Sequence, residues 1–454
     1  MISLKIECPQ NIKEIQSWVK RDWEIEFAVF KSAGEIVENV KKNGDSALIK
    51  YCTQFDGIEV SDARELAVST AELAEAAKNV PLKFPELVEA LNESYTNLVK
   101  YHKSQLEKEP GQWFINPQKG ARLGQVTTPI ERVGLYIPGG RYLYPSSVLM
   151  SAVPAILAGV KKIIICTPPQ KNGKINDVLL YLFAKLGINK VYRIGGAHAV
   201  AALAYGTESI EKVDKIVGPG NIYVTAAKKI VFGAVGIDSL AGPSEITIIA
   251  DGQSNPAFIA ADLLSQSEHD TDAKSILLAT NKKIAENTIT EIYKQTGELF
   301  RLYGSRFNRD LIYESLKKNC RIIVNKDLNF LIEVCNIIAP EHLELMVGDC
   351  EMALKSIRNA GAIFLGSYTP VAVGDYICGT NHVIPTGGNA RFSSPLGVYD
   401  FYKRSSVACY SYDMLKKERK HVETLSDFEN LLAHNNSIKV RFKNKDNESQ
   451  ESKR

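Results

Sequence analysis

Gln266 and His269 stand three residues apart in Leu264-Ser265-Gln266-Ser267-Glu268-His269. With Ile259, Leu263 and Leu264 on one apolar stripe, the stretch predicts the end of a helix. That spacing points an amide oxygen and an imidazole the same way. Such a pair can hold a metal ion, but a catalytic zinc commonly takes three protein ligands and a structural one four. Read alone, the motif is equally a helix end with a polar face. The rest of the chain has to supply the missing ligands.

Seven histidines are available. His342 follows Glu341 in Ala339-Pro340-Glu341-His342-Leu343-Glu344. A carboxylate beside an imidazole could serve as an acid/base pair if a bend at Pro340 aims both into one cleft. The same residues could simply start a capped helix after a proline. Asp375 lies between glycine and an aromatic residue in Val373-Gly374-Asp375-Tyr376, as a ligand or as a turn aspartate. His434 closes Leu431-Leu432-Ala433-His434, a position that also suits an exposed histidine at a helix end. Pro138-Gly139-Gly140 and Gly218-Pro219-Gly220-Asn221 leave short apolar strands and open helices. Their backbone amides could meet phosphate or a dinucleotide, although no G-x-G-x-x-G is present.

These residues need a scaffold, and the chain from Val133 onward reads as one. Short apolar runs at 133–137, 162–166, 191–194 and 214–217 alternate with helical stretches, and a second series begins with a strand over 246–250. Strands at 276–279 and 321–324 continue it, with a helix over 328–337. Such alternation predicts parallel sheets covered by helices on both faces. The first hundred residues predict helices, one of them N-capped by Asp45 after Gly44. Residues 374–397 are rich in glycine and proline, a long loop of the kind that tends to carry function. A last helix is expected over 427–433, then a charged tail without large apolar residues, expected to be disordered.

At 454 residues, two or more domains are expected. A net charge of +3 without an internal basic block argues against a nucleic-acid partner. No apolar run reaches membrane-spanning length, and the first residues do not read as a signal peptide. The eight cysteines are scattered and never form C-x-x-C, which predicts reduced thiols and a cytoplasmic protein.

Six motifs occur together in a telling order. They are Gly195-Gly196-Ala197, Val217 to Asn221, Ala241-Gly242-Pro243-Ser244-Glu245, Leu264 to His269, Ala339 to Glu344, and Gly374-Asp375 through Thr380 to Thr386. In order and spacing the set resembles the histidinol dehydrogenase family, from about residue 30 to Arg441. The resemblance implies an α/β fold of two incomplete Rossmann-like parallel-sheet domains with helical N- and C-terminal segments. The implied divisions are an N-terminal helical arm (1–30), a first α/β domain carrying metal and catalytic residues (31–131 and 244–375), and a second on the NAD side (132–243). C-terminal loop and helical segments (376–441) would pack on a partner subunit, ahead of the tail (442–454).

The resemblance further implies a Zn²⁺- and NAD⁺-dependent oxidation of L-histidinol, through L-histidinaldehyde, to L-histidine. Zinc ligands would be Gln266, His269, Asp375 and His434, and the catalytic pair Glu341 and His342. Substrate contacts would fall on Ser244, Gln266, His269, Glu341, His342, Asp375, Glu429 and His434. Cofactor contacts would fall on Tyr136, His198 and Asn221. His198 departs from the family, where glutamine is usual, but can still donate a hydrogen bond. The active sites would be shared between the subunits of a homodimer. Rival readings are a zinc hydrolase with Glu341 activating water, a non-catalytic α/β binding protein, and a dehydrogenase for another small amino or sulfonated alcohol.

Overall fold

Runs of β-branched residues build two parallel sheets. The computed structural model describes residues 4–15, 25–109, 111–139 and 143–443. They form two compact units, one of Met1–Glu107 with Pro129–Phe401, the other of Lys108–Thr128 with Tyr402–Arg454.

In the first unit, strands Arg132–Tyr136, Lys162–Cys166, Lys190–Tyr192, Lys215–Val217 and Gly236–Ile237 make a five-stranded, all-parallel sheet. Numbered in chain order, they lie 3-2-1-4-5 across the sheet. Strands Glu245–Ala250, Lys274–Ala279, Arg321–Val324, His342–Met346 and Ala362–Leu365 repeat that order in a second sheet. Glu245–Ala250 and His342–Met346 are buried throughout, as strands covered on both faces must be. The two α/β series read from the sequence are therefore two half-Rossmann sheets of one topology.

The expected helical arm over 1–30 differs. Its described part begins as an edge strand, Ile6–Glu7, paired in parallel with Arg321–Val324. One 3₁₀ turn follows at Ile12–Glu14, and helix starts only at Phe27. Burial explains this. Leu4 and Ile6 pack on one side of the second sheet and Ile15 is buried on the other. Residues 1–3 and 16–24 lie outside the described residues.

The segment 31–131, expected beside 244–375, packs elsewhere at its start. Helix Phe27–Tyr51 buries Ala33, Ile36, Val40 and Leu48 against helices Gly196–Tyr205 and Ile222–Val231 of the first sheet. Helix Thr70–Lys83 packs on Asp177–Lys185 of the same sheet. Gly44 breaks the long helix with φ 50°. The Asp45 carboxylate does not cap the helix that restarts there; it accepts from Ser209, while Glu208 accepts from the Asp45 N–H.

The second unit holds an antiparallel sheet ordered Tyr402–Tyr410, Ala121–Pro129, Gln112–Gln118. The turn Lys119-Gly120 joins the last two, with Gly120 at φ 90° as a tight hairpin needs. The expectation of only loops and helices over 376–441 thus gains a strand. The expected helix over 427–433 is in fact a break between Tyr412–Phe428 and Leu432–Lys439. Asn430 makes the break in the left-handed region (φ 57°), which asparagine tolerates better than most residues. Of the expected disordered tail, residues 444–454 lie outside the described residues. No helix among the described residues is long and apolar enough to cross a membrane.

Candidate active site and cofactor pocket

A cavity of about 240 Å³ lies between the sheets. From the first sheet's carboxyl edge come the turns bearing Pro138, Pro219 and Gly220; Ser244, Glu341 and His342 come from the amino edge of the second. His269, Asp375, Tyr376 and His382 also line it. Helix Pro256–Ser267 runs antiparallel to its strand, so its carboxyl end arrives at this edge and delivers Gln266 and His269. Helix Leu328–Ile338 ends there too, and its cap Ala339 adopts φ 51°, ψ 62°. Helix carboxyl ends carry partial negative charge and favour cations.

His342 opens a strand rather than the helix start that proline suggested. Its Nδ1 lies 3.1 Å from the Glu245 carbonyl, which can only accept, so Nδ1 carries the proton. Nε2 is left as the basic nitrogen, 3.9 Å from Asp375 Oδ1. Burial pushes the His342 pKa down to about 4, so the ring is neutral at pH 7 and able to take a proton. Glu341 Oε2 accepts from the Glu245 N–H at 2.8 Å and lies 3.6 Å from His342 Nδ1. Burial drives its carboxyl well above the usual range, with nearby Glu245 and Asp375 adding to the effect. The two residues expected as an acid/base pair therefore line one cavity.

The donors expected for a metal suit one. Burial pushes Asp375 up to about 7, marking a carboxylate that lacks a cationic partner. Burial lowers the His269 pKa, which keeps the imidazole neutral as a ligand must be. Gln266 is buried, and its amide nitrogen has no hydrogen-bond partner. His434 and Glu429 belong to the second unit, where both are exposed; His434 lies in the first turn of Leu432–Lys439 and Glu429 caps Tyr412–Phe428.

Two features carried no clear signal in the sequence. His382 sits in the glycine-rich loop, its Nδ1 3.2 Å from the Asp375 carbonyl and its Nε2 3.2 Å from Ser147 Oγ. Its place inside a motif was the only hint. Asp262 and Glu344 are two buried carboxyl groups close enough to influence each other. Glu344 accepts from the Val371 N–H at 2.9 Å, at the start of the helix Val371–Tyr376 that carries Asp375. The pair thus ties the Gln266 helix, the His342 strand and the Asp375 helix together.

A second cavity, about 390 Å³, lies at the carboxyl edge of the first sheet. It gathers Tyr136, His198 and Asn221, the three expected cofactor contacts, with Phe55, Asp56 and Gly139. Helices Gly196–Tyr205 and Ile222–Val231 begin here, so their positive ends favour an anion such as a pyrophosphate. Asn221 caps the second by accepting from the Tyr223 and Val224 N–H groups. Tyr136 accepts from the Gly196 N–H at 3.1 Å. In the pocket wall the His198 ring meets Asp56 at 2.8 Å.

A family model for histidinol dehydrogenase matches residues 20–442. The chain belongs to the histidinol dehydrogenase family. The histidinol dehydrogenase of Clostridium acetobutylicum is 46% identical over 431 residues, covering 95% of this chain and 96% of that protein. That of Listeria monocytogenes is 47% identical over 408 residues, covering 90% and 91%. A crystal structure of histidinol dehydrogenase from Elizabethkingia anophelis superposes with a TM-score of 0.88 at 36% identity, over 98% of this chain and 99% of that one.

Proposed function

We propose that the chain oxidises L-histidinol through L-histidinaldehyde to L-histidine, with NAD⁺ as electron acceptor, in the cytoplasm. What carries this reading is the meeting of Glu341, His342, His269 and Asp375 in one cavity, in a chain matched to the family over nearly its full length. Gln266, His269, Asp375 and the partner subunit's His434 would hold Zn²⁺, an oxygen and nitrogen set that suits a borderline ion. When bound, Zn²⁺ supplies positive charge that orients the substrate's nitrogens, and NAD⁺ supplies the hydride acceptor.

The protein's own task is to move protons. His342 Nε2 takes the alcohol proton as the carbinol carbon is oxidised. Glu341, when ionised, draws a proton from water attacking the aldehyde, and a hydrate results. His342 then serves again in the second oxidation. Ser244 and Glu429 contact the substrate, the latter from the partner subunit of a homodimer. Tyr136, Asn221 and the backbone beside His198 position the cofactor.

The test is NADH formation from histidinol with and without chelator. Activity lost on chelation and restored by Zn²⁺ supports the reading. No NADH from histidinol with a fully metallated protein overturns it, and a hydrolase would behave so. Site sharing has a separate test. Gln266→Ala and His434→Ala proteins, each inactive, are dissociated and reassociated together. Activity should return to about a quarter of wild type, since half the dimers are mixed and each has one intact site. Persistent inactivity with mixed dimers present overturns the shared site alone.

A further inference from the structure

The wall of the cofactor pocket holds a group that the dehydrogenase chemistry does not use. Cys52, Asp56 and His198 each offer a donor atom, and the three atoms lie within 4.8 Å of one another. Cys52 and Asp56 come from the single π-helical turn that ends the helix Phe27–Tyr51. His198 comes from the first turn of Gly196–Tyr205. We propose that these residues form a second metal site, distinct from the Gln266–His269–Asp375 set, for one divalent ion of the zinc class.

The Asp56 carboxylate accepts from His198 Nε2 at 2.8 Å and from the Gly195 N–H at 3.2 Å, with the Cys52 sulfur close by. The His198 side chain, with no exposed surface, thus turns Nε2 toward the carboxylate, and Nδ1 lies across the ring. Burial, with Asp56 adding to it, pushes the Cys52 thiol far up, so the ion-free group keeps it protonated. A divalent cation changes that balance. It displaces the thiol proton to solvent, and thiolate plus carboxylate then neutralise its two charges in a buried place. The Gly195 N–H and the positive end of its helix support these anionic ligands.

Ligand chemistry sets the class of ion. Thiolate with imidazole selects Zn²⁺, Co²⁺ or Cd²⁺ over Mg²⁺ and Ca²⁺. Three protein ligands leave a coordination position for water or for a group of the pocket's occupant. Asp56 and His198 both line that pocket, so ion and occupant affect each other's affinity reciprocally.

The presence of a thiolate makes the site testable in isolation. The full-length protein, stripped of metal, is titrated with Co²⁺. The expected result is a thiolate-to-cobalt charge-transfer band in the near ultraviolet, saturating at one ion per chain. Cys52→Ser should abolish the band. His198→Gln should weaken the affinity by more than the roughly 10–100-fold that loss of an outer-shell partner costs. Gln266→Ala should leave the band intact, so it reports this site whether or not the first one exists. Absence of the band at saturating Co²⁺ overturns the proposal. So does a band that survives Cys52→Ser, because it would arise from another of the cysteines. Should Cys52→Ser fail to fold, an unchanged Co²⁺ affinity in His198→Gln overturns the proposal equally.

Discussion

The two parallel sheets have the same strand order and opposite uses. The first opens its pocket at the carboxyl edge, where helices begin; the second lines the other cavity from its amino edge, where helices end. Ligands of open α/β sheets ordinarily bind at the carboxyl edge. Here that rule holds for the sheet that faces the expected cofactor and fails for the one that faces the expected metal. Helix dipoles give the reason. The starts of Gly196–Tyr205 and Ile222–Val231 suit a phosphate anion, and the ends of Pro256–Ser267 and Leu328–Ile338 suit a cation. Two copies of one topology thus offer an anion-favouring pocket at a carboxyl edge and a cation-favouring one at an amino edge.

If the amino edge does the chemistry, its residues should govern turnover. His342→Asn removes the ring nitrogen that faces Asp375, and kcat for histidinol should fall about 10²–10⁴-fold. Near-normal kcat in steady-state NADH assays would move the base elsewhere.

The same edge is held together by Glu344, so replacing it should show in stability. Glu344→Leu strands the Val371 N–H and should cost about 1–3 kcal/mol. Glu344→Gln can still accept from Val371 and donate to Asp262, so it should stay within about 1 kcal/mol. Urea midpoints that fall equally for both variants would show that the carboxyl group itself is required.

The burial of this pair has a pH consequence. Burial raises Asp262 to about 6 and Glu344 to about 9. The folded state therefore holds protons that the unfolded state releases near pH 4. That stabilisation is complete below about pH 4 and is lost as pH rises from there until the higher folded pKa, about 9, is passed. Tm should fall by a few degrees across that range, and Asp262→Asn should flatten the fall.

The smallest effect belongs to the carboxyl edge. Asn221→Ala should raise KM for NAD⁺ with kcat retained, and losing the helix cap should cost about 1 kcal/mol. A fall in kcat instead would blur the division between the edges.

The strands were legible because buried parallel strands are continuous apolar runs: Lys162–Cys166 and Arg321–Val324 stand where the sequence puts them. The strand Gln112–Gln118 was not, because it is mostly exposed and shows no apolar alternation. Amphipathic spacing reveals that helix Phe27–Tyr51 buries one face but not which sheet receives it. At the site, Gln266 with His269 and Glu341 with His342 declare themselves by adjacency. The Asp262–Glu344 pair does not, since its partners are separated by most of the second α/β series and meet only in the folded chain. His198 reads as a cofactor contact, and only the fold shows that its ring meets Asp56, far away in sequence.

Glu341 and His342 are consecutive, and consecutive strand residues point to opposite faces. Both reach one cavity because Glu341 lies just before the strand, in a turn opened by Ala339 in the left-handed region and followed by Pro340. A single inserted or deleted residue between Ile338 and His342 would shift the strand by one and carry His342 to the other face. A change elsewhere in a surface loop is absorbed by slack. Here the number of residues in the turn decides whether both side chains reach the cavity, and a variant that keeps both but alters that count should lose activity.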